Sequence, residues 1–143
     1  MNREIIFKAK TTKKNDLKHE FNEKWVEGNL ILCGGKAYIH PVSNKIDVTG
    51  EIGRIIVMHE VDQETLCQYT GLTDKNGKRI WENDIVRNKK GDIGVAQWFE
   101  EHAAFMIWNK TKNCVCYLAE NDFSKIEVNG NVFDNLELLE AKE

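Results

Sequence analysis

Proline occurs once in the 143 residues, at Pro41, so no proline-rich linker divides the chain. Hydrophobic runs are short, as at Ile55-Ile56-Val57-Met58, far below the ~20 residues of a membrane helix, so no membrane association is expected. Where a secretory leader would carry its apolar core, the chain has Lys8, Lys10, Lys13 and Lys14. A cytoplasmic protein is therefore expected, with Cys33, Cys67, Cys114 and Cys116 reduced and serving as small hydrophobes in the core. An excess of positive charge is missing too. The net charge is −3, which argues against a general nucleic-acid binder.

Several chemical signatures are also missing. There is no GxGxxG and no Gly-Lys-Ser/Thr, hence no phosphate cradle at Gly71 or Gly77. Asp74-Lys75-Asn76-Gly77 echoes the start of a calcium loop but lacks the later ligands. Cys114-Val115-Cys116 puts two thiols on one face of a strand, yet its gap is too short for a zinc knuckle. His40, His59 and His102 supply no second ligand pair at a metal spacing. No metal and no cofactor is expected. No cysteine or serine sits on a strained turn before a helix, so His59, His102 and Asp84 read as surface, interface or turn residues rather than as parts of a catalytic set.

What the chain has is ordinary globular composition, 41% hydrophobic and 30% charged, and a β pattern punctuated by glycine. Residues 1–20 hold six basic and three acidic side chains, and residues 117–143 two basic and seven acidic. Solvated surface charge is the simpler reading of that asymmetry. Arg3–Ala9 is predicted as a strand with Ile5 and Phe7 on one face. Lys10–Lys24 is left open between a short helix, from the four-residue spacing of Leu17, Phe21 and Trp25, and a preferred long loop. Trp25–Cys33 and Lys36–His40 read as a hairpin around Gly34-Gly35, closed by Pro41, which cannot donate to a ladder. Asp47–Gly53 reads as a loop and Arg54–Met58 as a buried strand.

From Cys67 onward short strands follow one another. Asn76-Gly77 is the strongest turn signal, because both residues accept positive φ. Glu82-Asn83-Asp84 is a polar turn feeding Ile85-Val86-Arg87. After Lys89-Lys90-Gly91-Asp92 come strands at Ile93–Phe99, Ala103–Trp108 and Cys114–Leu118, a meander expected to close into a small barrel. Ala103–Trp108 is apolar on both faces and is expected to be central. Lys125–Phe133 reads as a last strand interrupted at Asn129-Gly130, and Asn135–Glu140 as one helical turn capped by Asn135. Most of the four tryptophans are expected in the core, with one or two free to anchor a homo-oligomer. Uncovered strand edges would favour association as well.

Four stretches carry a resemblance. They are Arg3-Glu4-Ile5-Ile6-Phe7, Trp25 to Ile31, Gln68-Tyr69-Thr70-Gly71-Leu72 through Asp74-Lys75-Asn76-Gly77-Lys78 to Asp84-Ile85-Val86, and Asn129 to Asn135 with Glu137-Leu138-Leu139. In this order they resemble the YopX family, small proteins mostly encoded by bacteriophages, prophages and mobile elements. Leu136 stands where proline is common. The resemblance implies one mainly β domain over residues 1–143. Within it, a β-rich N-terminal subdomain (1–65) joins a small SH3-like barrel (66–140), with few or short helices. It further implies a phage or prophage origin and a bacterial cytoplasm, and it implies no activity.

The function expected is a binding or assembly module without catalysis, with a homo-oligomer or an unidentified host or phage protein as partner. The alternative is a nucleic-acid-binding small barrel using Lys75, Lys78, Arg79, Trp81, Arg87, Lys89 and Lys90, since small barrels stack bases on aromatics along a basic groove. Asp74, Glu82, Asp84 and Asp92 dilute that cluster, and solvated turns around a core tryptophan are the simpler reading of it. A hydrolase or nuclease of unrecognised type is the third reading.

Overall fold

Why this chain forms ribbons is plainest in its first hairpin. In the computed structural model, which describes residues 3–12, 24–41, 58–118 and 125–140, β2 (Trp25–Cys33) and β3 (Lys36–Pro41) pair from Cys33↔Lys36 to Gly28↔Pro41. Gly34 and Gly35 turn between them at φ 59° and 75°, the left-handed pair that matches strand twist. Inward and outward residues alternate along β3, burying Ala37 and Ile39. The chain divides into two units, Glu4–Gln68 and Tyr69–Glu143 with Met1–Arg3.

In the first unit, β1 (Phe7–Lys10) pairs with β2 and with the start of β5 (Cys67–Thr73). β4 (His59–Val61) pairs with β3. A bridge between Thr11 and Val61, with Asp62 N–H donating to the Lys10 carbonyl at 2.9 Å, curls this sheet back toward the end of β1. Ala9, Ala37, Ile39 and Val61 fill the interior, packed by Phe7, Val26, Leu30 and Leu66. Burying Ile39 and Val61 contributes roughly 1.5–3 kcal/mol each. The opening strand starts later than Arg3, at Phe7. Within it Phe7 and Ala9 share the core-facing side, in the expected phase, while ahead of the strand Ile6 is buried and Ile5 is exposed. Trp25 is half-buried beneath two lysines, with Nζ of Lys8 at 4.7 Å and of Lys10 at 5.5 Å from its ring. Leu17, Phe21, Asp47–Gly53 and all of the strand expected over Arg54–Met58 except its exposed last residue, Met58, lie outside the described residues.

In the second unit, Tyr69 and Thr73 of β5 pair with Trp81 and Arg79 of β6 (Arg79–Trp81). β7 (Asp84–Arg87), β8 (Ile93–Phe99), β9 (Ala104–Asn109), β10 (Cys114–Tyr117) and β11 (Glu127–Asn131) form one antiparallel sheet in the order β10-β9-β8-β7-β11. Helix α1 (Glu137–Glu140) follows Asn135, whose carbonyl accepts from Leu138 N–H. The meander is as expected, and β9 is covered on both faces, although β8 is the middle strand of the sheet: Ile107 lies in the core with Ile80, Val86, Ala96, Leu118, Ile126 and Val128. On the opposite face Ile85, Val95 and Met106 are buried.

The fold is mainly β. Closure into a barrel, SH3-like or otherwise, is not found among the described residues. β10 pairs only with β9 and β11 only with β7, so the sheet is open with those two strands at its ends. The thiols also depart from expectation. Only Cys67 is buried, whereas Cys33 and Cys114 are exposed. Trp98, in a strand, is 46% exposed.

Candidate functional site

The segment Thr70–Arg87 is a hydrogen-bonded frame before it is anything else. Asp74 Oδ1 accepts the N–H groups of Asn76 (2.8 Å) and Lys78 (2.9 Å), and Oδ2 accepts that of Val128 (3.0 Å). One carboxylate thus shapes the Asn76-Gly77 turn and ties it to β11. Burial pushes its pKa up, but those three N–H groups and the Lys78 charge outweigh burial and hold it below the ordinary carboxylate value. Thr70 donates through Oγ1 to the Ile80 carbonyl at 2.7 Å. Asp84 Oδ2 accepts Trp81 N–H at 2.8 Å across the Glu82-Asn83 turn, where Asn83 takes φ 70°. Both Asp74 and Asp84 are buried. Both serve as acceptors of backbone N–H groups within the frame.

The next turn repeats the device. Asn88 Oδ1 accepts the N–H groups of Lys90 (3.0 Å) and Asp92 (2.9 Å). Asp92 Oδ2 accepts from Asn109 Nδ2 (3.2 Å) and lies 3.6 Å from Lys112 Nζ. Burial raises the Asp92 pKa, and the Asn109 and Asn88 amides with Lys112 lower it further than burial raises it.

The seven residues of the expected nucleic-acid contact are not alike in this frame. Trp81 is buried, ring to ring with Tyr69 at 5.5 Å, and presents no face to a base. Arg79 lies over the Tyr69 ring at 5.3 Å, and Lys75 reaches Glu127 at 3.7 Å. Lys78, Arg87, Lys89 and Lys90 are exposed. Repulsion from Lys125 lowers the Lys89 pKa, so two cations are held close there. His59 pairs opposite Ile39 in β4, while His102 lies in a 3-10 turn with its ring 6.3 Å from that of Tyr117. No described contact gathers His59, His102 and Asp84, and no group of three metal-ligating side chains occurs among the described residues.

The chain belongs to the YopX family. A family model described as YopX protein matches residues 9–140, nearly the whole sequence. The curated proteins contain no match to it. In this YopX chain the stretch carrying most of the resemblance is the frame just described, whose polar residues serve the fold.

A different feature of this YopX chain was not picked out from sequence. Strand β10 leaves Val115 43% and Tyr117 51% exposed on one face. On the other face of the sheet the half-exposed Trp98 packs edge-on against Phe105, ring centres 5.0 Å apart. The other sheet ends are blunted. β11 carries a register shift between Val128 and Gly130 and an acidic Glu127, β4 is bridged by Thr11, and β6 is three residues long. β10 has no charge, proline or bulge, and pairs with β9 in unbroken register. The signal was available: the last ribbon of a meander has one neighbour, and Cys-Val-Cys-Tyr has nothing to deter another.

Proposed function

We propose that this chain is a binding and assembly module without catalysis, of phage or prophage origin, that pairs with a second copy of itself along β10. The origin and accessory role follow what the family resemblance implies. The observation that carries the assembly reading is the contrast between β10 and every other sheet end. Exposed strands in soluble proteins are kept apart by charge, proline or bulges, and this one has none. A two-fold pairing of this kind uses the same patch on both copies and closes. Light scattering on the full chain is expected to give a dimer at high concentration, and Val115→Lys, which charges the strand without touching the core, a monomer. A wild-type monomer throughout would remove the reading.

A second reading keeps Lys78, Arg87, Lys89 and Lys90 as contacts to the phosphates of a single strand. The close Lys89 and Lys125 cations favour it, since a polyanion relieves their repulsion. Polarisation of labelled single-stranded DNA or RNA is expected to show salt-dependent binding, weakened by Lys78→Ala and Arg87→Ala. No change at low salt would dispose of it.

A further inference from the structure

Cys114 and Cys116 project to the same face of β10, and their Sγ atoms lie 3.9 Å apart. A tetrahedral thiolate site with metal–sulfur bonds of about 2.3 Å separates its sulfurs by about 3.8 Å. The pair therefore already stands at chelating distance. The same strand opposes a disulfide. A rise of ~3.3 Å per residue holds the two Cβ atoms roughly 6.6 Å apart, while a bridge requires about 3.5–4.5 Å. The extended geometry is pinned by the pairs Cys114↔Asn109 and Cys116↔Ile107 and by packing of Cys116 on the core. Cys114 is exposed, so an ion reaches the pair from solvent.

We propose that Cys114 and Cys116 form a two-thiol chelate for soft, thiophilic ions, with trivalent arsenic and Cd2+ as its chemical class. No group of three metal-ligating side chains occurs among the described residues, and the proposal concerns these two thiols. The site therefore differs from a structural zinc knuckle, and it does not depend on the pairing of two copies. Binding forms two sulfur–ion bonds and releases two thiol protons. With phenylarsine oxide, the arsenic-bound oxygen leaves as water with those protons, and no electron is transferred.

The test is titration of the reduced full chain with phenylarsine oxide, counting free thiols and mapping the adduct by mass spectrometry. One arsenical per chain, two thiols consumed and the adduct on the Cys114–Cys116 peptide are expected. Because the second bond is intramolecular, Cys114→Ser and Cys116→Ser should each weaken binding roughly 100-fold or more, whereas Cys33→Ser should leave it unchanged. Cys114 is exposed, so its replacement keeps the fold, which circular dichroism verifies. Binding that survives Cys114→Ser, or an adduct mapped elsewhere on the wild-type chain, would overturn the proposal.

Discussion

Asp74 shows how much of this molecule hangs on single polar side chains. Its two oxygens hold three backbone N–H groups from two separate segments. Asparagine keeps the oxygen that faces Asn76 and Lys78 but turns an amide donor toward Val128 N–H. Asp74→Asn should therefore lower unfolding free energy by on the order of 1–3 kcal/mol, the cost of an unsatisfied buried donor, as read by urea unfolding. The pH dependence follows from the same contacts. Asp74 and Asp92 both titrate below the ordinary carboxylate value in the folded chain. Their contribution is thus complete above an unfolded pKa of about 4 and is lost as pH falls through the folded values. Stability should drop on acidification below about pH 4, and less steeply in Asp74→Asn. Gly28 is a second residue without a substitute. A Cβ there would run into the His40 carbonyl and come within 2.9 Å of Pro41 Cα. Both are backbone and give little, so Gly28→Ala should cost about 1–3 kcal/mol and shift the thermal midpoint down.

Elements were legible in the sequence where a local rule fixed them. Gly34-Gly35 and Asn76-Gly77 announced turns, and the double-faced apolar pattern of Ala103–Trp108 announced a ribbon covered on both faces. The polar residues of Asp74–Asp92 were read as dilution of a basic cluster. Their work as turn acceptors was hidden, because it depends on Val128 and Asn109, distant in sequence. Burial of Trp81, by contrast, is the simpler expectation for a tryptophan among polar turns, and the pairing Tyr69↔Trp81 turns it inward. Closure of the meander does not follow from the sequence. A run of short ribbons does not say which of them pair: here the last, β11, pairs with the first, β7, and not with β10, so the sheet stays open between β10 and β11. That pairing is what leaves β10 with a single neighbour. The candidate site thus follows from long-range pairing, with only its lack of charge visible locally.

At the scale of the whole molecule, each unit carries its own dry interior, and the polar frame of Asp74, Asp84, Asn88 and Asp92 shapes the turns of the second. That frame serves the fold, whereas β10 offers backbone and apolar surface together. The account therefore turns on what β10 meets in solution. Amide hydrogen exchange of the full chain, followed across a wide concentration range, reads this directly. Protection of the β10 amides that rises with concentration, while the β8 amides stay constant, is the predicted result. Protection of β10 that is the same at every concentration would contradict it.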